Sequence, residues 1–214
     1  MALGVHLSTI SRVTGHTSLE RTALADLLAS LGPERPTLCA GWTTRDLAAH
    51  LVVRASRPDA AAGIVLRRLA GHTKRVQGRA ATRDWPALVE RVRHRPCWGD
   101  AFNLVEYFVH HEDVRRAQPG WQPRELDREL AESLWSRVRP QAKLVLRRTP
   151  ATVTVSAPGF GRVSAGRGGD AKVELSGQPQ ELLLFLMGRQ GHALVELIGP
   201  TEITERMRRA HYGI

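Results

Sequence analysis

The spacing of apolar residues changes at Pro150, and this change most constrains the fold. Before Pro150 the apolar residues recur at the three- and four-residue spacing of a helix, as the leucines do over 24–31. After it, Thr152–Val155 alternates polar and apolar residues, which is typical of a half-buried strand. The sequence therefore predicts a mainly α-helical N-terminal part followed by a small mixed α+β domain, with a boundary near residue 149.

Capping and breaking residues divide the chain further. Residues 1–16 are expected to form a flexible N-terminal arm, residues 17–149 a helical domain and residues 150–214 the small α+β domain. Thr43-x-x-Asp46 has the spacing of a capping box and is expected to start the second helix. The predicted helices are 18–31, 43–57, 58–69, 84–92, 102–117, 126–148, 179–188 and 200–210, and the predicted strands are 152–155, 172–175 and 193–198.

The composition excludes several classes of protein. Hydrophobic residues make up 42% of the 214 and charged residues 24%, which is typical of a globular chain and not of a disordered one. No apolar run approaches the roughly 18 residues of a membrane-spanning helix, and no secretory signal is recognisable, so we expect a cytoplasmic protein. Two cysteines are too few for a disulfide framework or a four-thiolate zinc site.

The positive charge is concentrated in the helical part. The formal net charge is +10, of which residues 1–150 carry +9 and residues 151–214 carry +1. A basic half raises nucleic acid as a possible partner. However, arginine greatly outnumbers lysine and is interleaved with acidic residues, which is typical of a GC-rich genome. Nucleic-acid binding is therefore kept only as an alternative.

Polar residues interrupt the apolar stripes of two predicted helices. In helix 102–117, Glu106, His110 and Asp113 fall on one stripe with apolar residues, and burying such groups is costly unless something satisfies them. On the second helix His50 occupies an apolar position. A metal ion bound by these side chains is one explanation; a satisfied core histidine and a Glu106–His110 hydrogen bond are the others. His111 lies about 100° further round the helix and is expected to face solvent.

Two motifs on these helices resemble a known family. Trp42–Leu51 (WTTRDLAAHL) and Glu106-x-x-x-His110-x-x-Asp113 are similar to segments of the DinB-like superfamily. They resemble most closely its mycothiol-dependent maleylpyruvate isomerase branch, within which the chain looks like an actinobacterial metal-binding subgroup. The further similar segments are 37–39, 108–117 and 179–189.

The resemblance implies a fold, a metal site and a reaction class. The N-terminal domain would be a four-helix bundle that binds a divalent metal through His50, Glu106 and His110. Two histidines and one carboxylate leave open coordination positions, as in catalytic sites, and zinc suits these ligands best. Mycothiol would be the thiol cosubstrate, added to an electrophile by an S-transferase or an isomerase. A non-catalytic metal-binding protein or sensor is the alternative.

The sequence also suggests roles for four further residues. Asp113 either orients a metal ligand or forms a surface pair with Arg116. Arg54 either binds an anionic substrate or pairs with a carboxylate inside the bundle. The resemblance implies a catalytic arginine in the C-terminal domain, for which Arg189 is the candidate. Cys39 has no base beside it in sequence and is expected to be a small buried packing residue.

Overall fold

A computed structural model describes residues 2–56, 84–94 and 100–212 of the chain. The helix predicted over 58–69 lies outside these residues, as does Cys97. The described helices are α1 (Ala2–Leu31), α2 (Thr44–Ser56), α3 (Trp85–His94), α4 (Asp100–Arg116), α5 (Arg128–Val145), α6 (Pro179–Leu186) and α7 (Thr201–Arg209). The strands are β1 (Thr152–Ala157), β2 (Gly161–Ala165), β3 (Lys172–Ser176) and β4 (Glu196–Ile198), and a 3₁₀ turn, Leu146–Arg148, follows α5.

The first helix is longer than the sequence predicts. It begins at Ala2, so residues 2–16, which were expected to form a flexible arm, are helical. No proline interrupts this segment, and Gly4 and Gly15 each cost a helix only about 1 kcal/mol relative to alanine. The helix ends where Gly32 takes a positive φ of 80° and donates its N–H to the carbonyl of Leu28.

The predicted capping box at the start of α2 is confirmed. The Thr43 amide donates to Asp46 Oδ2 at 3.0 Å, and the Asp46 amide donates to Thr43 Oγ1 at 3.4 Å. This reciprocal pair satisfies two N–H groups that the first turn of a helix leaves without partners. The cap fixes where α2 begins and therefore which face His50 occupies.

The N-terminal compact unit comprises residues 1–123, and its described helices are α1 to α4. α1 packs against α3 and α4, and α2 packs against α3. The fully buried residues of this core are mainly aliphatic and come from all four helices; they include Leu24, Leu28, Leu47, Leu88 and Val114. The four-helix bundle that the resemblance implies stays a prediction.

The C-terminal compact unit comprises residues 124–214 and includes α5. Its sheet has the order β2-β1-β3-β4, with β1 and β3 parallel and the other two pairs antiparallel. β2 is absent from the sequence prediction because glycines on both sides of it made the segment look like turns. Every residue of α6 is buried, and α5 packs on α6 and contacts β2.

The boundary between the two compact units does not coincide with the position at which the spacing of apolar residues changes. The sequence places the boundary near residue 149, where helical spacing ends, whereas the compact units divide between residues 123 and 124. The spacing of apolar residues indicates only the type of secondary structure. The helix α5 belongs to the C-terminal unit, where it buries Leu134 and Val138. Within the described helices, none combines the length and hydropathy needed to cross a bilayer.

Candidate metal centre

Three side chains predicted as metal ligands lie together in the N-terminal unit. α2 supplies His50, and α4 supplies Glu106 and, one turn later, His110. One ligand atom from each lies within 4.8 Å of the others. His50 Nε2 is 3.6 Å from Glu106 Oε1, and the two imidazole ring centroids are 5.3 Å apart in an edge-to-face arrangement. The i, i+4 spacing on α4 places Glu106 and His110 on one face, as the sequence predicts.

The cluster is largely removed from solvent, and one of its atoms lacks a hydrogen bond. The side chains of His50, Glu106 and His110 are 10%, 11% and 14% exposed. Glu106 Oε1 is buried and accepts no hydrogen bond from any described residue, while Arg54 Nε contacts the other oxygen, Oε2. Leaving a buried carboxylate oxygen unsatisfied costs about 1–3 kcal/mol or more. A cation held between this oxygen and two imidazoles would satisfy it, so the residues fit a divalent metal.

The protonation states also suit a cation. Burial lowers the pKa of His50 below its ordinary value, and the adjacent His110 acts in the same direction against the opposing effect of Glu106. Burial acts to raise the pKa of Glu106, but the contact with His50 and the charge of Arg54 outweigh it, so the pKa is lowered. At neutral pH His50 is therefore uncharged and Glu106 ionised, which are the forms that bind metals.

Asp113 lies behind His110 on α4. Its side chain is fully buried, and Oδ2 is 2.9 Å from His110 Nδ1. Asp113 and Arg116 are both buried, so a pair between them would not lie at the surface, and Arg116 Nε donates to Glu112 Oε2 at 2.6 Å. A carboxylate at one ring nitrogen fixes the orientation of an imidazole, which leaves the other nitrogen aimed at a ligand.

Cys39 lies beside two side chains of α4. It was expected to be a packing residue with no base beside it, yet its Sγ lies 3.2 Å from Asp113 Oδ2 and 3.9 Å from His110 Nδ1. The neighbours come from α4, more than 70 residues later, and no local spacing predicts them. Cys39, His110 and Asp113 thus form a second group of potential ligands within 4.8 Å of one another.

The expectation that His111 faces solvent is also wrong. The residue is 6% exposed, and its Nδ1 lies 3.0 Å from Glu20 Oε2 of α1. The helix α1 packs on this side of α4, so α4 is buried on two faces. The prediction assumed that only the face with the apolar stripe is buried. His111 and Glu20 form their own buried pair.

The two predicted arginines have different surroundings. Arg54 forms an ion pair with the carboxylate of Glu106, and its side chain, which is 37% exposed, also reaches solvent. Arg189 belongs to the C-terminal unit, where its guanidinium donates to the carbonyl of Met187. The ring of Trp42, two residues before α2, lies near the imidazole of His50, with centroids 5.1 Å apart.

Comparison with solved structures reveals the same architecture elsewhere. A mutant of mycothiol-dependent maleylpyruvate isomerase matches with a TM-score of 0.61 and 13% identity, over 87% of this chain and 92% of that one. A second structure of mycothiol-dependent maleylpyruvate isomerase matches with a TM-score of 0.58 and 15% identity over the same shares. The chain has the fold of mycothiol-dependent maleylpyruvate isomerase.

This finding confirms the resemblance at the level of the overall fold. No protein-family model and no curated protein matches the sequence. At 13–15% identity the match to the maleylpyruvate isomerase structures establishes the fold alone. What the site does must therefore be argued from its own side chains.

Proposed function

We propose that the chain is a metal-dependent enzyme that uses mycothiol, acting as a thiol S-transferase or as an isomerase. The cation would be held by His50, Glu106 and His110. The observation that carries this proposal is the buried Glu106 Oε1, which has no hydrogen-bond partner in the described structure and lies beside two imidazoles. The maleylpyruvate isomerase fold supports mycothiol as the thiol.

Each residue of the site has a separate task. His50, His110 and Glu106 supply one ligand atom each, and zinc is the divalent cation that suits this set of donors best. Asp113 holds His110 by its Nδ1, so that the imidazole keeps one orientation. Arg54 holds Glu106 by Oε2 and leaves Oε1 directed at the two histidines.

Three protein ligands leave coordination positions for a substrate atom. A bound divalent cation would supply the charge that stabilises a thiolate at neutral pH, which turns a small thiol into a nucleophile. Arg54 is partly exposed and could also neutralise an anionic group that approaches the site. The substrate class is therefore a small electrophile that adds a thiol.

We expect zinc-loaded protein to convert mycothiol and a maleyl-type or chlorinated electrophile into the conjugate or the isomer, well above the uncatalysed rate. Product formation would be followed by chromatography with mass detection. A His50→Ala variant should lose this activity, whereas His94→Ala, which removes a histidine that is 73% exposed, should keep it.

One outcome would refute the enzymatic proposal and leave the metal site intact. If the protein binds zinc stoichiometrically but gives no conjugate and no isomer with any such electrophile, it is a non-catalytic metal-binding protein or sensor. If it binds no zinc, the assignment of the three ligands is wrong as well.

A further inference from the structure

Cys39, His110 and Asp113 form a group of ligand types distinct from the set that contains His50. All three offer a ligand atom within 4.8 Å of the others, and the carboxylate is fully buried. We propose that these residues form a second cation site, adjoining the first through His110 and suited to a soft or borderline divalent cation such as Zn²⁺ or Cd²⁺. This site does not depend on the thiol chemistry proposed above.

The loop before α2 holds Cys39 in a fixed position. Pro36 and Thr43 form an antiparallel bridge, and the Leu38 amide donates to the main-chain carbonyl of Asp113 at 3.0 Å, so the loop is tied to α4. The Cys39 amide donates to Thr37 Oγ1 at 3.2 Å. Because main-chain hydrogen bonds on both sides set its backbone, Cys39 presents its sulfur to α4 without a further ordering step.

A turn closes this loop on the other side of Cys39. The carbonyl of Cys39 accepts from the Trp42 amide at 2.9 Å, and Gly41 within the turn has a φ of 76°. Residues other than glycine rarely adopt this left-handed backbone conformation. Gly41 therefore permits the tight turn that directs Cys39 towards His110.

The arrangement favours a ligand over a nucleophile. In a nucleophile–histidine–carboxylate relay, the nucleophile and the carboxylate contact opposite nitrogens of the imidazole. Here Cys39 Sγ and Asp113 Oδ2 lie at the same atom, His110 Nδ1, and the thiol donates to the carboxylate. The three side chains therefore do not have the geometry of such a relay.

The sulfur distinguishes the two sites chemically. A thiolate selects soft and borderline cations, whereas imidazole and carboxylate alone discriminate less. On binding, the S–H bond of Cys39 breaks, its proton passes to solvent, and a sulfur–metal bond forms while Asp113 and His110 Nδ1 turn to the cation. A neutral imidazole has one ring nitrogen without a proton, so His110 can serve either site, and to hold both cations at once it must also release its ring proton to solvent.

Titration of the full chain with Co²⁺ alone tests this site. Cobalt bound to a thiolate gives a sulfur-to-metal charge-transfer band in the near ultraviolet, and cobalt bound only to imidazole and carboxylate does not. We expect the band in the wild type and in Cys97→Ser, and its loss in Cys39→Ser. Displacement of the cobalt by Cd²⁺ should remove the cobalt band from the wild type.

Absence of the band in the wild type would overturn the proposal without reference to the folding of any variant. Survival of the band in Cys39→Ser would also overturn it. A Glu106→Gln variant separates the two sites: it should lose cation binding by the His50 set and retain the thiolate band. The second site would therefore stand even if the enzymatic proposal failed.

Discussion

Replacing Glu112 by alanine is expected to destabilise the N-terminal unit by about 3–5 kcal/mol, the cost of breaking a buried ion pair. The side chains of Glu112 and Arg116 are each 1% exposed, and Arg116 Nε donates to Glu112 Oε2 at 2.6 Å. Glu112 also accepts from Arg115 Nη1 at 2.9 Å. Its removal takes a buried carboxylate partner from Arg116, whose guanidinium lies over the ring of Trp121.

Native-state hydrogen exchange of the α4 amides would measure this loss, because it reports on the helix that carries the candidate site. Asp26→Ala is the matched control. It breaks an ion pair with Arg93 that links α1 and α3, but Asp26 is 64% exposed, so we expect a change within about 1 kcal/mol. A double variant, Glu112→Leu with Arg116→Leu, should recover part of the loss. Equal effects of Glu112→Ala and Asp26→Ala would contradict this interpretation of α4.

Replacing His50 by alanine is expected to remove the cation held by His50, Glu106 and His110 from the purified protein. Removing a residue that only hydrogen-bonds to a metal ligand weakens metal binding roughly 10–100-fold. His50 is itself one of the three proposed ligands, so its loss should weaken binding by more than this. With both proposed sites filled, the wild type should contain two divalent cations per chain by elemental analysis, and His50→Ala should contain one fewer.

His94→Ala is the control for this experiment, because it also removes an imidazole but from a position that is 73% exposed. It should retain the wild-type metal content. Equal metal content in the wild type and in His50→Ala would remove His50 from the site and with it the proposed set of ligands.

The placement of Glu106 and His110 on one face was predictable from local helix geometry, whereas the convergence of His50 with them was implied by the family resemblance. Two of these residues are four positions apart on α4, and the capping box at Thr43 fixes which face of α2 carries His50. Polar residues on apolar stripes then indicate that something inside the fold must satisfy them.

Contacts between distant segments were not predictable in the same way. Cys39 meets Asp113 because the loop before α2 is hydrogen-bonded to α4, and the spacing of residues does not encode that pairing. His111 is buried because α1 covers a second face of α4. In both cases, packing between segments distant in sequence determines the environment of the side chain. The local sequence pattern predicted a packing role for Cys39 and a solvent-exposed position for His111.

The domain boundary shows the same limitation. Helical period over 126–148 correctly indicates a helix, observed as α5 (Arg128–Val145), but it carries no information about which unit that helix joins. Contacts with α6 and β2 place α5 in the C-terminal unit. Strand β2 was missed because Gly159, Gly161 and Gly166 made a short paired segment resemble a series of turns.

Anomalous diffraction from crystals of the full chain grown with Zn²⁺ would test the metal assignment most directly. We expect a zinc peak bonded to one nitrogen each of His50 and His110 and to Glu106 Oε1, with bonds of about 2 Å. A peak bonded to other residues alone, or no peak near Glu106 at saturating zinc, would contradict the assignment.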